Sequence, residues 1–295
     1  MTELIAPVDE QGMTAPTEVG IEEYRAALRD FDAATCEAIA VGQASAVRYA
    51  GDRIGYGTHI FARMCSHAIA LVRAAPKSRW VSADHEWWDF ALVAGHARSI
   101  IEAYMLFTQL LREPTEPGEG EARIEVMHLN DCTKRISLLE RTEGDRLEWF
   151  RGQAEELRTS LRLNPYFQTL PEVLRNRLLT GRYLTIQTRD EQLAALGWEK
   201  PQFDAFWDTL SQYTHVLPFS FYSMEPNGRG TGMPNACDRS YMAMVMTQCT
   251  PLIAEATDTI VDLFPDVEPV RQGSDSKFSP GPRRNLPKDR KRRRQ

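Results

Sequence analysis

The sequence predicts an all-α protein, a multi-helix bundle of about eight to ten helices with a disordered N-terminus and a basic, disordered C-terminal tail. Three observations carry this. Apolar residues recur three and four positions apart through most of the chain. Proline, glycine and capping residues punctuate those stretches. No run of alternating polar and apolar residues between turn signals marks a sheet. Residues 1–17 have no period and are expected to be disordered. Residues 18–264 are expected to form a single helical domain, with a subdomain break allowed at 112–121, and 265–295 form the tail.

Taken in order, the pattern is helical from Glu18 to about Ala74, with breaks expected near Asp32 and in "AGDRIGYGTH", where three glycines fall together. From about Thr58, residues Ile60, Phe61, Met64, Cys65, Ala68, Leu71 and Val72 share a broad face, opposite His59, Arg63 and His67. "APKSRWVSADHEWWD" reads as a loop in which Ser82 caps a very apolar helix over roughly 84–111. The linker "REPTEPGEG" ends it. Two charged amphipathic helices follow, at about 121–142 and 145–162, then a turn with Pro165 and Pro171 and a short helix in "EVLRNRLLTG". Thr188 and Glu191 have capping-box spacing, and that helix stops at Gly197. Pro201 opens a helix over about 202–216 with apolar Phe203, Phe206, Trp207 and Leu210. A long Pro/Gly-rich loop covers 217–236, and a last helix is expected to kink or break at Pro251.

Composition narrows the function classes. With 295 residues, 42% hydrophobic and 26% charged, the chain is ordinary for a water-soluble fold. The net charge of −6 conceals +8 from Arg271 onward and −14 in the rest. An acidic body matches nucleic acid poorly, so such contact is assigned to the tail, through Arg283, Arg284, Lys288, Arg290, Lys291, Arg292, Arg293 and Arg294. The tail can equally be an import-like address or a solubilising extension. Five widely spaced cysteines without a Cys-x-x-Cys pair, no signal-peptide pattern and no uninterrupted apolar span indicate a cytoplasmic protein without membrane contact.

Several chemistries lack their motifs. A di-iron bundle needs two Glu-x-x-His pairs, and only Glu125/His128 fits. "GRGTGM" has Met233 where a dinucleotide fingerprint has its third glycine. No Walker A, Gly-x-Ser-x-Gly or His-Glu-x-x-His sequence is present, so no metal or cofactor is expected.

Four residues stand out. Arg98 and Glu102 lie one turn apart on the narrow polar stripe of an apolar helix, with Gln109 on the same stripe. A pair held there against desolvation points to function; an exposed intrahelical ion pair is the plainer alternative. Ser211 and His215 are likewise one turn apart, a hydroxyl beside a base. Alternatively, Ser211 bonds a backbone carbonyl and His215 complements the helix C-terminus. The aromatic loop after His215 either folds back over a pocket or forms an extra packing layer.

Two resemblances follow from these motifs. "RSIIEAYMLF" and the later "FWDTLSQYTHVLP" resemble a widespread group of uncharacterised bacterial helical proteins that share an Arg-x3-Glu helix and a Leu-Ser-x3-His element. The resemblance covers roughly 85–250 and implies that Arg98, Glu102, Ser211 and His215 form one constellation. More distantly, the chain resembles HEPN-type helical ribonucleases, whose Arg-x(4–6)-His spacing is met by Arg53/His59, Arg79/His85 and Arg123/His128. None of these has the polar residue usual after the arginine. Two readings of the sequence follow. One is a polar site between the 84–111 and 202–216 helices that handles phosphodiesters, with Arg98, Glu102, Ser211 and His215 as catalytic residues. The other is a non-enzymatic scaffold whose tail holds nucleic acid. Self-association into a homo-oligomer is left open.

Overall fold

The computed structural model describes residues 18–276 apart from Tyr49, Ala83, Asp84, Glu143, Gly144, Ser223 and residues 225–227. The segment 1–17 and all eight tail residues assigned to nucleic acid lie outside the described residues. Within them the chain is helical, and the sole β feature is one antiparallel bridge between Trp88 and Gly232.

The α-helices are α1 (Ile21–Ala44), α2 (Gly51–Ala74), α3 (Ala91–Leu111), α4 (Glu119–Thr142), α5 (Leu147–Leu163), α6 (Pro165–Thr169), α7 (Glu172–Leu178), α8 (Arg189–Ala195), α9 (Lys200–Thr214), α10 (Pro218–Tyr222) and α11 (Ala236–Leu263). Two short 3₁₀ turns follow, Pro265–Val270 and Gly273–Asp275. The all-α expectation and most helix positions agree with the structure.

The contacts divide the chain into two compact units, Met1–Arg48 with Thr58–Tyr104 and Trp198–Gln295, and Tyr49–Gly57 with Met105–Gly197. The 112–121 linker lies inside the second unit. In the first unit α1 packs along α11. Tyr24, Phe31, Ile39 and Val41 are buried on one helix, and Met242, Val245, Met246, Ile253 and Ile260 on the other. Phe61, Met64, Leu71, Val93, Ala97 and Ile100 add to the buried set at the helical spacing the sequence displays. The second unit has its own core of Ala122, Val126, Leu129, Ala154, Leu161, Phe167, Leu178 and Ile186. Its short helices are locally specified. Asn164 accepts from the Phe167 N–H at 2.9 Å to cap α6, and the Thr188/Glu191 capping box opens α8.

Several expected breaks are absent. α1 runs through Asp32, because that carboxylate does not cap or turn the helix. It is buried and accepts from Arg79 Nε at 2.5 Å, Arg79 Nη2 at 3.0 Å and Trp80 Nε1 at 2.6 Å. The glycines at 51, 55 and 57 belong to α2. At Gly57 a Cβ would lie 2.6 Å from the Leu111 side chain, so this position serves close packing rather than a turn. α11 continues through Pro251 without interruption.

The apolar helix starts at Ala91 rather than near 84. Trp88 is taken into the bridge with Gly232, its N–H donating to the Gly232 carbonyl at 2.9 Å. The Phe90 N–H donates to Asp238 at 3.1 Å, and Asp89 accepts from the Ala91 N–H at 2.9 Å. Long-range partners thus claim backbone groups that a longer helix would need. Gly232 has φ +74, and a Cβ there would fall 2.4 Å from the Trp87 ring, so glycine is required on both counts.

The folded chain also extends past 264, where the sequence placed the start of the tail. Val267 is buried, and Arg271 donates to Asp258 at 2.6 Å and to Glu37 at 3.3 Å. Gly273 N–H donates to the other Glu37 oxygen at 2.8 Å. Arg271 is therefore a structural cation of the first unit.

Candidate functional site

The site is built on α2, α3 and α9 of the first unit. Arg98 sits on the polar stripe of α3, and His215 is the C-cap of α9. The Arg98 Nη1 lies 2.8 Å from His215 Nε2. Since arginine only donates, the contact is a hydrogen bond when His215 Nε2 is the acceptor. Arg98 Nε also donates to Glu102 at 3.3 Å, and its guanidinium lies over the Trp207 ring, 4.6 Å from the centroid. The Arg98 side chain is 21% exposed and that of Glu102 is 52% exposed. An open carboxylate and an aromatic face thus hold the guanidinium without burying it. By itself the ion pair is worth only about 0.3–0.5 kcal/mol.

The helix end that delivers His215 is strained. The His215 N–H donates to the Ser211 carbonyl at 3.0 Å, and the Leu217 N–H reaches back to the Gln212 carbonyl at 2.9 Å. That second bond is the six-to-one closure of a Schellman turn, with Val216 in the left-handed position normally given to glycine. Val216 has φ +53 although it is β-branched, and it is 72% exposed. Such a conformation costs on the order of 1–3 kcal/mol. No burial of the valine offsets it, and the strain lies immediately beside the histidine.

Ser211 stands apart from this arrangement. Its hydroxyl donates to the Trp207 carbonyl one turn back at 2.7 Å, the backbone-bonding alternative for a helical serine. The structure brings together Arg98, Glu102 and His215, and gives Ser211 a helix-internal role. Phe221 and Tyr222 stay exposed on α10, whereas Arg229 turns inward to Asp238 and Tyr213.

Two residues of the same neighbourhood escape sequence reasoning. His67 Nδ1 lies 3.3 Å from His96 Nδ1, with ring centroids 5.6 Å apart. Twenty-nine residues separate them, and neither has a local signal beyond lying on a polar face. Burial lowers the pKa of His67 and the nearby Arg63 charge adds to this, while Glu102 opposes it. Burial likewise lowers His96, followed by the charge on His67. Glu102 therefore acts on both Arg98 and His67, linking the imidazole pair to the Arg98–His215 contact.

The sign of the consequence is clear. Depressed histidine pKa values mean that the folded state binds fewer protons than the unfolded one below the ordinary value of 6.5. The associated stability is present above that value and is lost as pH falls below it. Thermal midpoints at pH 7.5 and 5.0 are expected to differ more for wild type than for His96→Asn. Equal differences would remove the imidazole pair as the origin.

The HEPN-like spacings do not assemble comparable sites. Arg53 donates to the Leu111 carbonyl at 2.7 Å and to Glu113 at 2.9 Å, and Arg123 is buried against Glu119. Arg79 and His85 line one cleft of about 490 Å³, but Arg79 is committed to Asp32. Burial pushes the Cys65 and Cys249 thiols up to about 12, away from the thiolate form. Among the described residues no group of three or more His, Cys, Asp and Glu side chains is arranged to hold a metal ion, and no helix is long and apolar enough to cross a membrane.

Fold and site together define an all-α protein with a solvent-facing Arg–His centre braced by a carboxylate and an indole. Comparison of the chain with family models, curated proteins and solved structures returned no match.

Proposed function

We propose that the Arg98–His215 centre handles phosphodiesters and cleaves single-stranded RNA. The observation that carries this reading is the 2.8 Å contact between a guanidinium and an imidazole lone pair on an accessible surface. RNA brings its own nucleophile, so the step asks for proton transfer and charge stabilisation, which are the capacities of these two side chains. A phosphate oxygen drawing Arg98 onto itself frees His215 Nε2. The imidazole then removes the 2′-hydroxyl proton, and the 2′-oxygen forms its bond to phosphorus as the bond to the 5′-oxygen breaks. The departing oxygen takes the proton back from the imidazolium, leaving a 2′,3′-cyclic phosphate and a 5′-hydroxyl end. Glu102 and Trp207 position Arg98. The resemblance to bacterial helical proteins with the same two motifs agrees with Arg98, Glu102 and His215 acting together, while Ser211, bonded within its own helix, stays outside the step.

The test is cleavage of a labelled single-stranded RNA by purified protein. Wild type is expected to yield cyclic-phosphate ends. His215→Ala is expected to lose about 10²–10⁴-fold in rate and Arg98→Ala a similar factor. Deletion of residues 277–295, which spares the folded Arg271, is expected to retain cleavage. Absence of cleavage with salt-sensitive RNA binding that disappears with the tail would replace this reading by the scaffold, in which Arg283, Arg284, Lys288, Arg290, Lys291, Arg292, Arg293 and Arg294 hold nucleic acid.

A further inference from the structure

A second concavity lies wholly within the second unit, independent of the Arg98–His215 reading. It is a cavity of about 180 Å³ lined by Met105, Thr108, Gln109 and Arg112 of α3, by Gln187, and by Gln192, Ala195 and Leu196 at α8. Three glutamine amides around one small cavity, walled by a methionine and a leucine, is a specific chemistry. The volume is below the roughly 300–1,000 Å³ of sites for drug-sized ligands, so the fitting molecule is about one ring in size.

The hydrogen bonding of these amides leaves a defined remainder. Gln109 is only 7% exposed, and its Oε1 accepts from Gln192 Nε2 at 3.3 Å. Among the described residues its own Nε2 has no partner. Gln192 Nε2 also lies 2.9 Å from Thr185 Oγ1 and 3.2 Å from the Gln187 backbone carbonyl, so its two hydrogens are shared among three acceptors, while its Oε1 likewise has no partner among the described residues. The two amides, joined through one end of each, thus leave one donor and one acceptor on adjacent groups. Neither atom is among the fully buried polar atoms that lack a partner, so both are open to the cavity side, where an occupant with a matching edge can bond both at once.

Arg112 is already engaged. With its amide oxygen turned toward the guanidinium, Gln187 accepts from Nη1 at 3.2 Å and Nη2 at 3.3 Å, and Nη2 also reaches Glu119 at 3.3 Å. What the cavity offers is therefore a neutral donor–acceptor pair rather than a free cation for a carboxylate. We propose that this cavity binds a single nucleobase, its lactam or amidine edge meeting Gln109 and Gln192 and its faces lying against Met105 and Leu196. An amide donor beside an amide acceptor is also what a single glutamine presents when it reads an adenine edge, here divided between two side chains. The base comes either as a free base or nucleoside, or as an unpaired base of a strand.

Calorimetric titration of the full chain with adenine, cytosine, uracil, uridine and a short oligouridylate, with acetate and glutamate as carboxylate controls, tests this. Saturable binding of at least one base is expected, weakened about tenfold or more by Gln109→Leu and by Gln192→Leu. Circular dichroism shows which variant remains helical, and the second is decisive where the first does not fold. Binding of free base or uridine identifies a small-molecule source, and binding of the oligonucleotide alone a strand. Saturable binding of no base, binding unchanged in a folded variant, or binding of the carboxylates alone overturns the proposal. RNA cleavage is a separate readout, so either site can fail without the other.

Discussion

Asp238→Ala is expected to lower the unfolding free energy by about 3–5 kcal/mol, the range for breaking a buried ion pair from one side. Asp238 is 1% exposed, and Oδ1 alone accepts from Arg229 Nη2 at 2.7 Å, Arg229 Nε at 3.1 Å and the Phe90 N–H at 3.1 Å. Its Oδ2 accepts from Asn235 Nδ2 at 2.8 Å, at the N-cap of α11. Removing the carboxylate leaves the Arg229 charge, on a side chain 3% exposed, without its carboxylate partner, while the Tyr213 hydroxyl at 2.6 Å stays beside it. Urea unfolding followed by circular dichroism measures the loss. The double variant with Arg229→Met is expected to recover much of it, because the stranded charge and not the missing attraction is the main penalty. A loss under about 1 kcal/mol in the single variant would place the pair among weak surface contacts instead.

Glu119→Gln is expected to cost a similar 3–5 kcal/mol at neutral pH, and its cost is expected to shrink in acid. Burial pushes the Glu119 carboxyl up, but the Thr115 N–H, the Arg123 guanidinium and the Thr115 hydroxyl outweigh it and bring it down to about 2. The Arg123 side chain, 5% exposed, also donates to the Arg112 carbonyl at 2.6 Å and the Gln109 carbonyl at 3.2 Å. This cluster ties the end of α3 to the start of α4. Because the folded carboxylate is the weaker base, its stabilisation is complete above the ordinary glutamate value of 4.5 and is lost as pH falls from there toward 2. Urea midpoints of wild type and variant at pH 7 and pH 3 should therefore converge in acid. A gap of constant size would show that the glutamine disturbs packing rather than charge.

What was legible in the sequence was local. Helix periodicity, the capping box at Thr188, Pro201 near the start of α9 and the acidic linker before α4 all involve residues within a turn or two of each other, and α4 to α9 fall close to where those signals put them. The pairing of Arg98 with Glu102 was readable for the same reason. Serine bonding to its own helix was a local alternative too, and Ser211 follows it.

Tertiary contacts decided the rest. The partners that moved the start of α3 to Ala91 are Gly232 and Asp238, more than a hundred residues away. Asp32 looks like a helix breaker until Arg79 and Trp80 claim its carboxylate. His67 meets His96, and Arg98 meets His215 across 117 residues, only because α2, α3 and α9 are brought together by burying their apolar faces. A sequence displays which residues want to leave water, but hydrophobic burial is non-directional and does not name the partner. The sequence alone therefore determined that this chain is a set of helices and which side chains lie on their polar stripes. Packing determined which stripes meet, and with them the Arg98–His215 centre.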